Sequence, residues 1–215
     1  MTNTEENTTE DQSSKTINAS YDPMVGHPKR NAILAVMCLS LVVIVLDNSI
    51  LNVAIPTISD KLKTKDTDLI WIIDAYTIIF AGLLLTCGTI GDKFGRRLAL
   101  QTGLFIFGTA SFLSSFAQNP MQLTIGRAVM GIGGALIMPA TLSIITNVFP
   151  PKERGKAIGI WAAFAGVGVA IGPLTGGFLI EHFWWGSVFM VNVPFVVGGI
   201  IANSMMVPES KHEDA

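Results

Sequence analysis

Three ionisable side chains lie inside long apolar stretches, where a charge is costly. Asp47, Asp74 and Arg127 each interrupt a run of apolar residues. An ionised side chain at the centre of a membrane-spanning helix costs about 2.5–3.5 kcal/mol on insertion scales, so each is a candidate functional residue. Burial disfavours the charge of a carboxylate while a nearby guanidinium favours it, so a change of surroundings can move a proton. The chemistry predicted for Asp47 and Arg127 is therefore proton coupling in a shared interior cavity.

Two of these positions also allow an interpretation without a functional charge. Asp74 lies near the start of its apolar segment, where its carboxylate can sit at the membrane surface. The long side chain of Arg127 can extend its guanidinium toward water while its methylene groups stay in the apolar layer. Counting about 1.5 Å per residue along a helix places all three charges at a similar depth, which favours the shared cavity.

The segments that carry these charges are long enough to cross a bilayer. Half of the 215 residues are hydrophobic and 14% are charged, whereas soluble domains carry about 25% charged residues. A spanning helix needs roughly 20 apolar residues, and backbone polar groups in lipid are satisfied only in helices or closed barrels. The sequence predicts an all-α integral membrane protein, a bundle of six transmembrane helices. The six segments are residues 32–55, 69–90, 98–117, 121–149, 157–180 and 184–207.

The polar leader and the positive charges predict the domain boundary and the orientation. Residues 1–30 are rich in Thr, Asn, Glu and Ser, which predicts a disordered tail before a bundle over residues 31–208. Lysine and arginine accumulate in cytoplasmic loops, so we expect a multi-pass protein of the cell membrane with both ends of this chain in the cytoplasm. The residues that carry this signal are Lys29, Arg30, Lys93, Arg96, Arg97, Lys152, Arg154 and Lys156.

The remaining composition argues against several other classes of protein. A net charge of −2 predicts no nucleic-acid partner. Both cysteines lie inside apolar segments and do not indicate a disulfide framework. The histidines have no cysteine or carboxylate partners at metal-ligand spacing, and no serine or cysteine has a base beside it. We expect no metal, no cofactor and no enzymatic activity.

The fifth segment carries a regular pattern of glycines next to a proline. Gly168, Gly172 and Gly176 recur every four residues, on one face of a helix, and Pro173 lies beside them. A face of small residues lets another helix approach closely, and an internal proline removes a backbone donor and favours a kink. The pattern predicts a tightly packed and bent helix, although a static packing groove explains the glycines as well.

The charged loop between segments two and three reads GTIGDKFGRRLAL over residues 88–100. It resembles the signature of the major facilitator superfamily, with isoleucine and lysine where leucine and arginine are usual. The start of the sixth segment, WWGSVFMVNVPF over residues 184–195, is similar to the proton-linked multidrug exporter branch with fourteen spans. The loop positions in register with the signature are Gly88, Asp92, Gly95, Arg96 and Arg97.

Three further motifs resemble the same exporter branch. VLDNSILNVAIP, residues 45–56, resembles its first-span motif, with Ser49 in place of threonine. LTIGRAVMGIGGA, residues 123–135, resembles its fourth-span motif, with Met130 where glutamine is usual. GVAIGPLTGG, residues 168–177, is similar to the fifth-span pattern of exporters rather than importers.

The resemblance implies a role for each matched position. Asp92 and Arg96 would form part of a cytoplasmic latch that holds the outward-facing state, while Arg127 would be the coupling residue and Asp47 its acidic counterpart. Asp74, in WIIDAY, is similar to a variant found in exporters of organic cations. The fifth-span residues would seal or flex the cavity; they are Gly168, Gly172, Pro173, Gly176 and Gly177.

The resemblance also implies that the chain is half of a transporter. Such proteins rock one six-helix bundle against another, and this sequence supplies one, built of two inverted three-helix repeats, with residues 209–215 beginning a cytoplasmic connector. The expected partners are membrane lipid, a small-molecule substrate, and the C-terminal half or a second subunit, with a proton gradient in place of a cofactor. The predicted function is proton-coupled export of amphipathic, cationic drugs. The alternatives are a non-transporting half-length assembly partner or scaffold and a proton-independent nutrient facilitator.

Overall fold

The chain folds into helices connected by short turns. A computed structural model describes residues 26–208, so most of the predicted tail and the predicted connector lie outside the described residues. Within that range there are seven helices and no strand, which confirms the all-α prediction. The helices are α1 (Arg30–Leu62), α2 (Asp66–Phe94), α3 (Arg96–Ser114), α4 (Pro120–Val148), α5 (Pro151–His182), α6 (Ser187–Met190) and α7 (Asn192–Met206).

Proline and asparagine set the starts of α4 and α5. Pro120 and Pro151 occupy the first positions of α4 and α5, where a missing backbone N–H costs nothing. The Asn119 side chain caps α4 by accepting a hydrogen bond from the backbone N–H of Gln122 at 2.9 Å. These local signals fix where the second three-helix unit begins.

Two helices form the interior of the bundle. Most of the apolar stretch of α1 and of α4 is buried, whereas most of α2 and α5 is exposed within this chain. Helix α4 packs between α2 and α3, and α1 packs against α5 and α7. Because α1 and α4 also contact each other, polar residues at their crossing are shielded on all sides.

Five of the six predicted spans are long and apolar enough to cross a membrane. The exception is the third predicted span, which corresponds to α3. This helix is 19 residues long, begins with Arg96 and Arg97 and ends at Ser114, three residues before the predicted end. The two arginines shorten its apolar part. Helices α6 and α7 together form the final span, Ser187–Met206, interrupted only at Val191.

The predicted cytoplasmic segments meet at one end of the bundle. Arg30, at the start of α1, forms an ion pair with Glu153 at the start of α5, with 2.9 Å between Nε and Oε2. Arg97, at the start of α3, donates from Nη2 to the backbone oxygen of Ser204 near the end of α7, at 2.7 Å. These contacts join the start of α1 to the start of α5, and the start of α3 to the end of α7.

Candidate functional site

The structure brings Asp47 and Arg127 together where α1 crosses α4. Arg127 Nη1 donates to Asp47 Oδ2 at 2.5 Å, and both side chains are buried. Taking two charges out of water is costly, and their attraction offsets that cost only when the remaining donors and acceptors also find partners. The surroundings of each group therefore decide whether the pair is a tolerable part of the core.

The guanidinium of Arg127 is held from two further directions. Its Nη2 donates to the side-chain oxygen of Asn48 at 2.8 Å, and its Nε donates to the backbone oxygen of Ile72 at 3.3 Å. The guanidinium carbon also lies 4.4 Å from the centre of the Tyr76 ring, a cation–π geometry. Helix α2 thus closes over the arginine, which explains why it does not extend to the membrane surface.

The second oxygen of Asp47 is held by the last span. Asn192 Nδ2 donates to Asp47 Oδ1 at 2.7 Å and to Ser111 Oγ at 3.0 Å. Ser111 in turn donates to the backbone oxygen of Phe189 at 2.8 Å. The polar network therefore connects α1, α2, α3, α4, α6 and α7.

This network contains four residues that sequence analysis did not single out. Asn48, Tyr76, Ser111 and Asn192 are uncharged, and polar side chains of this kind are tolerated in spanning helices without the insertion cost of a charge. Asn48 directly follows Asp47, and Asn192 lies in the recognised start of the sixth span. Neither position carried a signal that distinguished a ligand of the carboxylate from a packing residue.

The structure does not bring Asp74 into this network. Asp74 lies on α2 between Ile72 and Tyr76, which both contact Arg127, so Asp74 is at the same level along the bundle axis as Arg127. Two residues along a helix correspond to a turn of about 200°, and Asp74 faces outward beside the exposed Trp71 and Ile78. Its carboxylate is therefore accessible from a surface that the Asp47–Arg127 pair does not reach.

The charged loop forms a tight turn between α2 and α3. Gly95 has a φ of 121°, a backbone conformation that residues with a Cβ rarely adopt. The turn lets Arg96 Nε reach back to Asp92 Oδ1 at 2.8 Å, and the same oxygen accepts a hydrogen bond from Ser143 Oγ of α4 at 3.0 Å. The Gly88 position packs against Pro139, whose Cβ would be 3.6 Å from an added Cβ. Gly88, Asp92 and Arg96 thus join α2 and α3 to α4, and Arg97 joins α3 to α7.

The glycine face of the fifth span packs against α1. Gly168, Gly172 and Gly176 are buried, and a Cβ at Gly172 would overlap the Ser49 side chain. Gly177 has open space around it instead.

Pro173 leaves the backbone oxygen of Val169 without its usual donor, because a proline has no N–H to bond the residue four positions earlier. The Ser49 hydroxyl donates to that oxygen at 3.0 Å. A side chain two residues from Asp47 therefore completes the backbone of α5 at its proline.

Comparison with characterised proteins places this arrangement in a family. Residues 37–215 match the family model of the Major Facilitator Superfamily. The multidrug efflux pump LfrA of Mycolicibacterium smegmatis is 41% identical over 83% of this chain and 36% of its own length. The methyl viologen resistance protein SmvA of Salmonella typhimurium is 42% identical, over 76% of this chain and 33% of its own. The riboflavin transporter RibZ of Clostridioides difficile is 39% identical, over 79% and 37%. The chain thus spans about a third of the length of these relatives.

A solved structure shares the fold. The crystal structure of a bacterial homologue of the human lysosomal transporter Spinster, in an inward-facing and unoccupied conformation, aligns with a TM-score of 0.63 and 21% identity. The alignment covers 83% of this chain and 42% of that chain. Because the family model matches most of the chain and the helices follow the same architecture, the chain belongs to the Major Facilitator Superfamily, whose members are membrane transporters and not enzymes.

Proposed function

We propose that this chain is part of a proton-coupled exporter of amphipathic, cationic compounds across the cell membrane. The buried Asp47–Arg127 pair carries the proposal, because it places a titratable carboxylate and its counter-ion at the crossing of the two interior helices. The relation to a multidrug efflux pump and a methyl viologen resistance protein supports the class of substrate. A transporter of this kind needs a second bundle, from the same protein or from another subunit.

Protonation of Asp47 is the proposed coupling step. An ionised Asp47 balances the charge of Arg127, so the closed network is electrically neutral. A proton on Asp47 leaves the buried guanidinium without a counter-ion, and an unpaired buried charge is strongly destabilising, by about 3–5 kcal/mol. Opening the network to water, or to a second anionic group, then becomes favourable. Because neither side chain is exposed here, proton exchange requires that α1 and α4 separate or that water enters between them.

Asp74 supplies the proposed charge for the substrate. Its carboxylate faces outward on α2 beside the exposed Trp71, and an aromatic ring next to an anion suits an organic cation. A cation that binds there does not displace Arg127 from Asp47. Asp74 thus recognises charge while Asp47 carries the proton.

The turn between α2 and α3 is the proposed cytoplasmic latch. The Asp92–Arg96 ion pair and the Ser143 hydrogen bond fix the turn on α4, and the second bundle would dock beside them. With this end in the cytoplasm, both ends of the described chain face inward. On α5, the glycine face and Pro173 hold that helix against α1 and would set how the cavity seals.

Proton countermovement in vesicles tests the proposal. The full-length protein is reconstituted in liposomes that contain a pH-sensitive dye, and a methyl viologen gradient is imposed. We expect wild-type protein to move protons against methyl viologen, and Asp47→Asn and Arg127→Ala to abolish that movement. Asp60→Asn is the matched control, because it changes an exposed carboxylate on the same helix. Proton movement against methyl viologen at the wild-type rate in Asp47→Asn would contradict the proposal that Asp47 is the coupling residue.

A nutrient facilitator is the second candidate, favoured by the relation to a riboflavin transporter. In that case riboflavin would enter the same liposomes at a rate indifferent to the pH gradient, and Asp47→Asn would not change that rate.

A further inference from the structure

The side chain of Asn192 holds a buried polar atom without a hydrogen-bond partner. Asn192 lies fully buried at the start of α7. Its Nδ2 donates to Asp47 Oδ1 at 2.7 Å and to Ser111 Oγ at 3.0 Å. Its Oδ1 has no partner among residues 26–208. A buried acceptor without a donor is costly, and such an atom beside a titratable group calls for a physical reason.

The two protonation states of Asp47 need different partners. As a carboxylate, Asp47 only accepts, and Arg127 and the Asn192 amide NH2 supply the donors. As a carboxylic acid, Asp47 carries an O–H that must find an acceptor. Arg127 has donors only, so it cannot serve that state. The unpaired oxygen of Asn192 is an acceptor attached to the same amide that already contacts Asp47.

We infer that Asn192 is a positioning residue that serves both protonation states of Asp47. Its NH2 donates to the carboxylate, and a half-turn of the amide about its Cβ–Cγ bond lets its carbonyl accept from the carboxylic acid. The proton comes from water and returns to water, and the amide neither gains nor loses one. This inference rests on the proposed function, in which Asp47 carries the coupling proton.

Ser111 can follow the rotation because a hydroxyl both donates and accepts. It now accepts from Asn192 Nδ2 and donates to the backbone oxygen of Phe189. After the half-turn it donates to the amide oxygen instead. The rotation leaves Nδ2 as the unpaired amide atom and takes the Ser111 donor away from the backbone oxygen of Phe189, so neither state is satisfied completely.

The asparagine amide offers a donor and an acceptor on two separate atoms of one rigid group at position 192. Leucine would leave the second oxygen of ionised Asp47 without a donor, and aspartate would add a like charge beside it. The titratable or charged groups that face Asp47 from the neighbouring helices are Arg127 of α4 and, across the guanidinium, Tyr76 of α2. Helices α3, α6 and α7 contribute hydroxyl, backbone and amide groups to the contacts described. The adaptable partner of the acid is therefore the amide.

Infrared difference spectroscopy of the full-length protein in lipid, between high and low pH, tests the inference. The carboxylic C=O band of Asp47 is the one that Asp47→Asn removes, and the amide C=O band of Asn192 is the one that Asn192→Leu removes. We expect the amide band to move to lower frequency when the Asp47 acid forms, because its carbonyl gains a hydrogen bond. Asp47→Asn should abolish that movement.

Asn203→Leu is the matched control. Asn203 is a second fully buried asparagine on α7, whose Oδ1 also has no partner among the described residues, but its Nδ2 donates to the backbone oxygen of Arg97. Asn203→Leu should leave both bands in place. An amide band that does not move with protonation, or a movement that survives in Asn192→Leu, would overturn the inference.

A second variant guards against misfolding of Asn192→Leu. Asn192→Thr keeps a hydroxyl that both donates and accepts, so the Asp47 acid band should remain while the amide band movement disappears. We expect proton-coupled methyl viologen flux to fall roughly tenfold in Asn192→Leu, the size of one hydrogen bond to a charged group, and less in Asn192→Thr. The spectra need no transport, so a failure of the proposed function leaves them readable.

Discussion

Two aspartate–arginine pairs lie at different levels of the bundle and differ in almost every physical respect. Asp47 and Arg127 come from two helices, and their side chains are 1% and 0% exposed. Asp92 and Arg96 come from one turn, four residues apart, and their side chains are 38% and 10% exposed. The first pair makes further hydrogen bonds with Asn48, with the backbone of α2 and with Asn192 of α7, while the second makes further hydrogen bonds with Ser143 of α4.

The difference indicates where in this fold the loss of one charge changes the free energy of unfolding most. A surface ion pair contributes about 0.2–1 kcal/mol, because water and salt replace either partner. Removing one partner of a buried pair costs about 3–5 kcal/mol, because the other charge is left unpaired. In the proposed mechanism, only the buried pair would convert the binding of one proton into a free-energy change large enough to rearrange helices.

Removal of Arg127 should give the largest effect. Arg127→Met leaves the Asp47 carboxylate buried without its counter-ion, so we expect a loss of about 3–5 kcal/mol in the free energy of unfolding at neutral pH. Denaturant unfolding of the full-length protein in bicelles measures it. The double variant Asp47→Leu/Arg127→Met should lose much less than the sum of the two single losses. Additive losses would show that the two charges do not interact.

The packing of α1 against α5 should give an intermediate effect. Gly172→Val forces a side chain into Ser49, and overpacking of this kind costs about 1–3 kcal/mol. We expect it to disturb the Asp47 network as well, because α1 must shift. Gly177→Val is the control, since that position has open space around it. The same unfolding experiment compares them, and equal stability of the two variants would contradict the predicted contact.

The partly buried Asp92–Arg96 pair should give the smallest effect, because water reaches the Asp92 carboxylate. In Asp92→Asn the amide oxygen can still accept from Ser143, whereas the ionic contact with Arg96 is lost. We expect a change of less than about 1 kcal/mol in unfolding free energy, reduced further by added salt. A loss as large as that of Arg127→Met would remove the distinction between the two pairs.

The sequence located the buried pair because a charge in an apolar segment is costly and therefore conspicuous. It could not show that Asp47 and Arg127, eighty residues apart in the chain, point toward each other, since that depends on how α1 crosses α4. The all-α bundle followed from segment length, whereas the short apolar part of α3 reflects the two arginines at its start.

The uncharged residues of the site could not be predicted from the sequence, for a different reason. Asn192 and Ser111 resemble the many polar residues that helices in membranes accommodate, and only their contacts reveal that Asn192 holds the carboxylate and Ser111 holds Asn192. Asp74 is the reverse case, because its charge made it a candidate although it lies outside the network. Its separation from the pair follows from the contacts of Ile72 and Tyr76 with Arg127, which fix the side of α2 that faces the arginine.

Proton release on substrate binding tests the central claim most directly. Methyl viologen is added to the full-length protein in weakly buffered detergent solution, and the change in pH is recorded for wild type, Asp47→Asn and Asp92→Asn. If the buried pair holds the coupling proton, wild type and Asp92→Asn release protons and Asp47→Asn releases none. Release that persists in Asp47→Asn, or disappears in Asp92→Asn alone, would contradict it.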